Sequence, residues 1–390
     1  MKKINFQDHQ KTFLLLSICI ICLHLTTGCW DRRELEERVS VLGVGIDVIE
    51  GSEEGEELYK ITLQIPIPIM IAGSAEGGGG GGIGAVRVIS STGTTVLDAM
   101  NNIQQRLNQE VFLGHARIIA ISEAVARKGV EDILDGFRRE PSIRRLLWFI
   151  VVEGEASNLM YVDPKLEQIP IVYTMTMIRN GVDTERIPDF NLGRYYIAES
   201  DSSKQPALNY IQVGEEDVSW KGIALFKKDM MVGDLDSKQS WLLMQMREED
   251  LGGDFLVYPR ENNRRSHILI RPKQINTKVK TKIENGQVQA HYEVYMQADI
   301  LEEIHEGDIS YAYRIDELSL ATKKDFEEAA AEVIRLMQEE FQTDGLQLGS
   351  KIKARHYKEW KNMDWKHNFT TAKIDVSYKV ELRRIGMKIK

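Results

Sequence analysis

Residues 114–152, GHARIIAISEAVARKGVEDILDGFRREPSIRRLLWFIVV, decide the fold class of this chain. Ala116–Ile121 (ARIIAI), apolar but for Arg117, reads as a buried strand. Ser122 follows as a cap for a short helix that stops at Gly129, and Val130–Glu140 forms a second helix ended by Pro141. Leu146–Val152 returns to strand. Upstream, Val96, Met100, Ile103 and Leu107 recur every three or four residues behind Thr94, giving another helix. Residues 39–48 (VSVLGVGIDV) and 58–65 (LYKITLQI) read as neighbouring strands joined by the acidic turn Glu50–Glu57. The order strand, helix, strand, helix, helix, strand predicts a mixed α/β layer with helices over a sheet.

Working toward the C-terminus, Gly222–Phe226 and Met231–Val232 flank Lys227-Lys228-Asp229 as a hairpin, and a capped helix is expected over Ser237–Arg247. Lys278–Ile283 and Val288–Met296 alternate around Asn285-Gly286, the dipeptide that closes two-residue hairpins. Thr322 and Asp325 suggest a capping box, with Phe326, Ala330, Val333, Met337 and Phe341 as one apolar helix stripe behind it. Ala372–Leu382 alternates strictly, one face for a core and one for water. The expected C-terminal domain is α+β, an antiparallel sheet carrying one long helix. The chain as a whole is thus expected to be α+β or mixed α/β and multi-domain, with mixed and antiparallel sheets packed against helices.

At 390 residues it exceeds one ordinary domain. The divisions expected are 1–28, 29–187, 188–265 and 266–390, the second boundary following from the polar stretch ESDSSKQP that ends at Pro206. Residues 77–82 are six consecutive glycines and read as a loop. No Gly-Lys pair exists to make that run a phosphate-binding loop.

The formal charge is −9; residues 1–28 hold Lys2, Lys3 and Lys11 against Asp8, so their net +2 leaves −11 for the remainder. Such an acidic chain is not expected to bind nucleic acid, and its bulk charge does not draw it to anionic lipid.

The three cysteines are Cys19, Cys22 and Cys29. Lys2 and Lys3 precede the apolar segment Phe13–Leu23, which is shorter than the roughly 20 residues needed to span a bilayer. It ends in Leu25-Thr26-Thr27-Gly28-Cys29, which looks like a bacterial lipobox: the Cys29 thiol takes a diacylglyceryl group and cleavage falls between Gly28 and Cys29. The usual aliphatic residue three before the cysteine is Thr26 here, with Leu25 one position earlier.

Chemistry is sparse. No two of His115, His267, His291, His305, His356 and His367 have the i, i+4 spacing of a helical metal pair, so no metal and no cofactor is expected. His291 reads as a solvated imidazole on a strand's polar face. No Gly-x-Ser-x-Gly elbow is present, and Ser350-x-x-Lys353 lacks the companion motifs of a serine acylase. Nothing selects one acidic pair as a glycosidase dyad. Arg138, Arg139, Arg144 and Arg145 read as cations offsetting a helix dipole rather than as a partner patch.

Gly28-Cys29-Trp30-Asp31-Arg32-Arg33-Glu34-Leu35, Val41–Asp47 (VLGVGID), Thr92–Val96 (TGTTV), Gly114–Ala120, Phe137–Arg145 and Gly222–Gly233 (GIALFKKDMMVG) together resemble the Ger(x)C family of spore germination lipoproteins over nearly the whole chain. The resemblance implies three α/β domains and no catalysis. It further implies a lipid-anchored C subunit of a germinant receptor, working with a membrane A subunit and a permease-like B subunit at the outer face of the spore inner membrane. Direct capture of the germinant as a solute-binding lipoprotein is the alternative, and a cortex-directed hydrolase a more distant one.

Overall fold

The segment 39–48 divides at Val41-Leu42 in the computed structural model, which describes residues 13–17, 38–51, 57–68, 84–249, 252–258, 260–261, 264–305 and 314–384. Strand β1 (Arg38–Ser40) turns aside to pair in parallel with β5 (Glu110–Phe112), while β2 (Gly43–Glu50) enters the main sheet. On one side of β2 stand β3 (Glu57–Pro66) and β4 (Val86–Gly93), both antiparallel to their neighbours. On the other stand β6 (Ile118–Ser122) and β7 (Trp148–Val152), both parallel. Every residue of β6 is buried, as its uninterrupted apolar run requires with helices on both faces.

Those helices form where the sequence places caps. Helix α1 (Val96–Gln104) starts from Thr95, one residue later than expected, with the Thr95 hydroxyl accepting from the Asp98 amide. Helix α2 (Glu123–Lys128) is capped by Ser122 and ends at Gly129 as expected, and α3 (Glu131–Arg139) lays Ile133, Leu134 and Phe137 into the core on the same sheet face. The opposite face is covered by α4 (Asn158–Tyr161) and α5 (Pro170–Asp183) through Leu159, Met160, Ile171 and Ile178. Helix α6 (Leu192–Ser200) leads into ESDSSKQP.

After that stretch the chain returns parallel to β7 as β8 (Ala207–Val213), then adds the hairpin β9 (Val218–Lys227) and β10 (Met230–Asp236). One eight-stranded sheet results, in the order β10-β9-β8-β7-β6-β2-β3-β4, with strands from both sides of residue 187.

Helix α7 (Ser237–Arg247) carries a complete capping box between Asp236 and Gln239. A second sheet follows: β11 (Phe255–Val257), β12 (Arg260–Glu261), β13 (Arg264–Glu284), β14 (Gln287–His305) and β15 (Lys373–Arg384). Asn285 (φ 51) and Gly286 (φ 79) close the β13–β14 hairpin in the left-handed conformation that this dipeptide favours.

Two expectations need correcting. Helix α8 covers Arg314–Arg335, so Thr322 is not its cap: it lies buried eight residues inside, on the face shared by Leu318 and Phe326. The expected antiparallel sheet is mixed, because β15 pairs in parallel with β14 and α8 makes the crossover that a parallel pair needs. The stripe itself is buried at Phe326, Ala330, Val333 and Met337, and Phe341 packs partly buried against the same core. That core also takes Ile223, Leu225 and Leu235 from β9 and β10, so the two sheets pack through α7 into continuous apolar contact. Short helices α9 (Leu348–Arg355), α10 (Tyr357–Trp360) and α11 (Trp365–Thr370) close this layer.

Candidate functional site

Gly28 and Cys29, the expected cleavage and lipidation residues, lie outside the described residues, as does the run Gly77–Gly82. Among the described residues no helix is long and apolar enough to cross a membrane. Nor does any group of three or more His, Cys, Asp or Glu there form a metal site.

The histidines are dispersed. His115 Nδ1 meets Ser40 Oγ at 3.0 Å, His356 Nε2 meets Thr281 Oγ1 at 3.1 Å, and His267 stands edge-on to Tyr258. His291 is partly exposed and held by Asp375 and Ser377 at 3.1 Å each, a cross-strand pair rather than a free imidazole. Lys353 Nζ donates to Asp201 Oδ1 at 2.8 Å while Ser350 Oγ lies 3.3 Å from Ser203 Oγ, so the Ser-x-x-Lys pair fastens α9 to the loop before β8.

The arginine cluster splits. Arg138 pairs with Glu199 at 2.7 Å and Arg139 with Asp135 at 3.0 Å, whereas Arg144 and Arg145 are exposed and have no ion pair among the described residues.

Asp47 is the most constrained polar residue of the first sheet. It is buried in β2, where Oδ1 accepts from the Ala156 amide at 2.6 Å and Oδ2 from the Ser157 amide at 3.0 Å. Burial raises its pKa, and the two amides with Ser157 and Lys60 act against that rise. This carboxylate ties β2 to the turn before α4, a structural use of the last residue of VLGVGID.

A cleft of about 740 Å³ lies between the β9–β10 turn and helices α9–α11. Lys227, Lys228, Lys361 and Lys366 line it beside Trp360 and Trp365, with Asp229, Asp344 and Asp364 also on its walls. None of those four lysines has an ion pair among the described residues, and burial together with the neighbouring Lys366 ammonium lowers the Lys227 pKa. At the base, Asp344 accepts from the Leu348 amide (3.0 Å), the Gly349 amide (2.7 Å) and Trp365 Nε1 (3.1 Å), while burial pushes its pKa up to about 6. Cations beside aromatic walls can hold an organic anion; no nucleophile activated by a base accompanies them. The cleft was not foreseen, since Lys227 and Lys228 read only as a turn, and the Lys-Trp interleaving of KEWKNMDWK (residues 358–366) was its one signal.

The fold thus defines a multi-domain α+β protein. Comparison with known proteins makes it specific. Residues 31–213 match "Spore germination protein N-terminal domain" and residues 221–386 match "Spore germination B3/ GerAC like, C-terminal". The Bacillus subtilis (strain 168) "Putative spore germination protein YfkR" is 27% identical over 331 residues, covering 81% of this chain and 81% of its own length. "Spore germination protein B3" of the same organism is 23% identical over 382 residues, covering 94% and 95%. The solved structure "Crystal Structure of the GerBC protein" has the same fold, with a TM-score of 0.56 at 18% identity, covering 91% of this chain and all of that one. The chain belongs to the Ger(x)C family of spore germination proteins.

Proposed function

We propose that this chain is the C subunit of a spore germinant receptor, exported, lipidated on Cys29 and held at the outer face of the spore inner membrane. It docks on a membrane A subunit and a permease-like B subunit, and supports the response to nutrients without catalysis of its own. The observation that carries this reading is the match of both halves of the chain to spore germination families, beginning two residues after Cys29. The physics of the anchor agrees: each buried methylene contributes about 0.8 kcal/mol, so two or three acyl chains hold a protein that one chain would release. Cys29→Ala should abolish incorporation of labelled fatty acid and lower germination; an alanine variant that still takes up label overturns the lipobox reading.

A second reading, direct capture of the germinant, is favoured by the lysine-lined cleft of about 740 Å³ beside Trp360 and Trp365. Calorimetry with amino acids and sugars tests it. Saturable heat that disappears in Lys227→Glu supports capture, and no heat with any of them leaves the cleft without that role.

A further inference from the structure

Charge is sorted along the strands of the eight-stranded sheet. Gly43 of β2 aligns with Ile118 of β6, and Ile118 with Trp148 of β7, so these three parallel strands begin on one line. The residues just before them, 38–42, Arg117 and the loop 141–147, are therefore gathered at one edge. Hydrogen bonds hold them together there: the Arg117 amide donates to Leu42 O at 2.8 Å and the Trp148 amide to Arg117 O at 2.9 Å. This edge is basic. Arg117, Arg144 and Arg145 are exposed with no ion pair among the described residues, and Arg179 lies over the Trp148 ring. Between the arginines Leu146 is 81% exposed, an apolar side chain at the tip of a cationic loop. The carboxyl ends of the same strands carry more acid, with Glu50, Glu153, Glu155 and the β8–β9 turn residues Glu215, Glu216 and Asp217, although Lys221, Lys60 and Lys165 pair with Glu153, Glu155 and Glu216 there.

The chain also enters the fold at the basic edge. Cys29 precedes Arg38 by nine residues, a tether of at most about 30 Å. An acyl anchor at Cys29 therefore keeps this edge within about 30 Å of the bilayer. We propose that the protein stands on the membrane by the amino edge of its eight-stranded sheet, with Arg117, Arg144 and Arg145 among anionic phospholipid headgroups and Leu146 at the interface. The inference rests on the lipid-anchor reading and adds an orientation to it. An overall acidic protein is compatible with this contact because attraction to the surface decays within a Debye length of about 8 Å at physiological salt, so the near edge dominates.

The test uses the lipidated full chain in vesicles of phosphatidylcholine with or without phosphatidylglycerol. With Cys19 and Cys22 removed with the signal and Cys29 consumed by its thioether, a cysteine placed by Leu146→Cys or Glu216→Cys is the single labelling site. A dye at 146 should be quenched by a lipid-borne nitroxide in phosphatidylglycerol vesicles, and a dye at 216 should not. Combining R117E, R144E and R145E, all on exposed residues, should remove that quenching while the acyl chains keep the protein on the vesicle. Each arginine is expected to strengthen surface contact roughly fivefold. Equal quenching at 146 and 216, quenching unmoved by the charge reversals, or protection at 146 that appears only when the A and B subunits are added overturns the orientation. Should the triple variant fold poorly by circular dichroism, the comparison of 146 with 216 decides alone. The mass of the N-terminal peptide separates the two readings: a diacylglyceryl group on Cys29 without quenching at 146 refutes the orientation only, and an unmodified Cys29 refutes the anchor together with it.

Discussion

Replacing Asp47 with alanine removes the acceptor of two buried amides at once. Ala156 and Ser157 are both buried and their amides donate to the two oxygens of this one carboxylate at 2.6 and 3.0 Å. An orphaned buried donor costs about 1–3 kcal/mol, so the pair is expected to cost roughly 2–5 kcal/mol, the upper end trimmed by relief of a desolvated charge. Asp47→Asn keeps one acceptor oxygen and sets an amide NH2 against the other donor, so it should recover less than half of that loss. Urea unfolding of the full chain followed by circular dichroism measures the change, and hydrogen exchange at the Ala156 and Ser157 amides locates it. A loss below about 1 kcal/mol with both amides still protected refutes the view that this carboxylate anchors the turn before α4.

Other perturbations test the packing and the cleft. Gly222→Ala would place a Cβ 1.9 Å from Leu235 O and 2.9 Å from Ser240 Oγ, so it should destabilise by about 3 kcal/mol or more; a thermal midpoint equal to wild type refutes the close approach of β9 to β10. Val333→Asp buries an unpaired carboxylate beneath α8 and should cost about 4 kcal/mol or more in a denaturant titration. Asp344 has a folded pKa raised from 3.8 to about 6. Its contribution to stability is therefore fully present below about 3.8 and lost as pH rises toward 6, by about 1.4 kcal/mol per unit. Asp344→Asn should flatten stability over that window, and an unchanged profile there contradicts the assignment.

Local signals in the sequence were sufficient wherever a neighbour in sequence also decides the structure. Ser122 with Gly129 and Asn285 with Gly286 act within a few residues, and the structure uses both as read; the capped helix expected over Ser237–Arg247 is present, and its cap residues are Asp236 and Gln239. Thr322 misled because Thr-x-x-Asp before an apolar run is a capping signature, while Ile315 and Leu318 extend the same stripe one turn and more upstream. The direction of β15 was hidden because alternation reads the same in a parallel and an antiparallel strand; only the crossover helix settles it. The cleft was illegible for a different reason. Its residues come from 227–228, 353 and 360–366, which tertiary packing alone brings together. The sorted charge of the first sheet is likewise a consequence of register: Arg117 and Arg145 are distant in sequence, yet Arg117 directly precedes β6 and Arg145 lies in the loop that leads into β7, and the two strands begin in line.

The central claim, that this chain works as the C subunit of a receptor, is tested most directly by recovering the full-length chain from detergent-solubilised spore inner membranes after crosslinking. An A subunit and a permease-like B subunit should co-purify in constant proportion, with crosslinks mapping to exposed residues of this chain. Recovery of the chain alone, free of both subunits and without loss of germination when it is deleted, would contradict it.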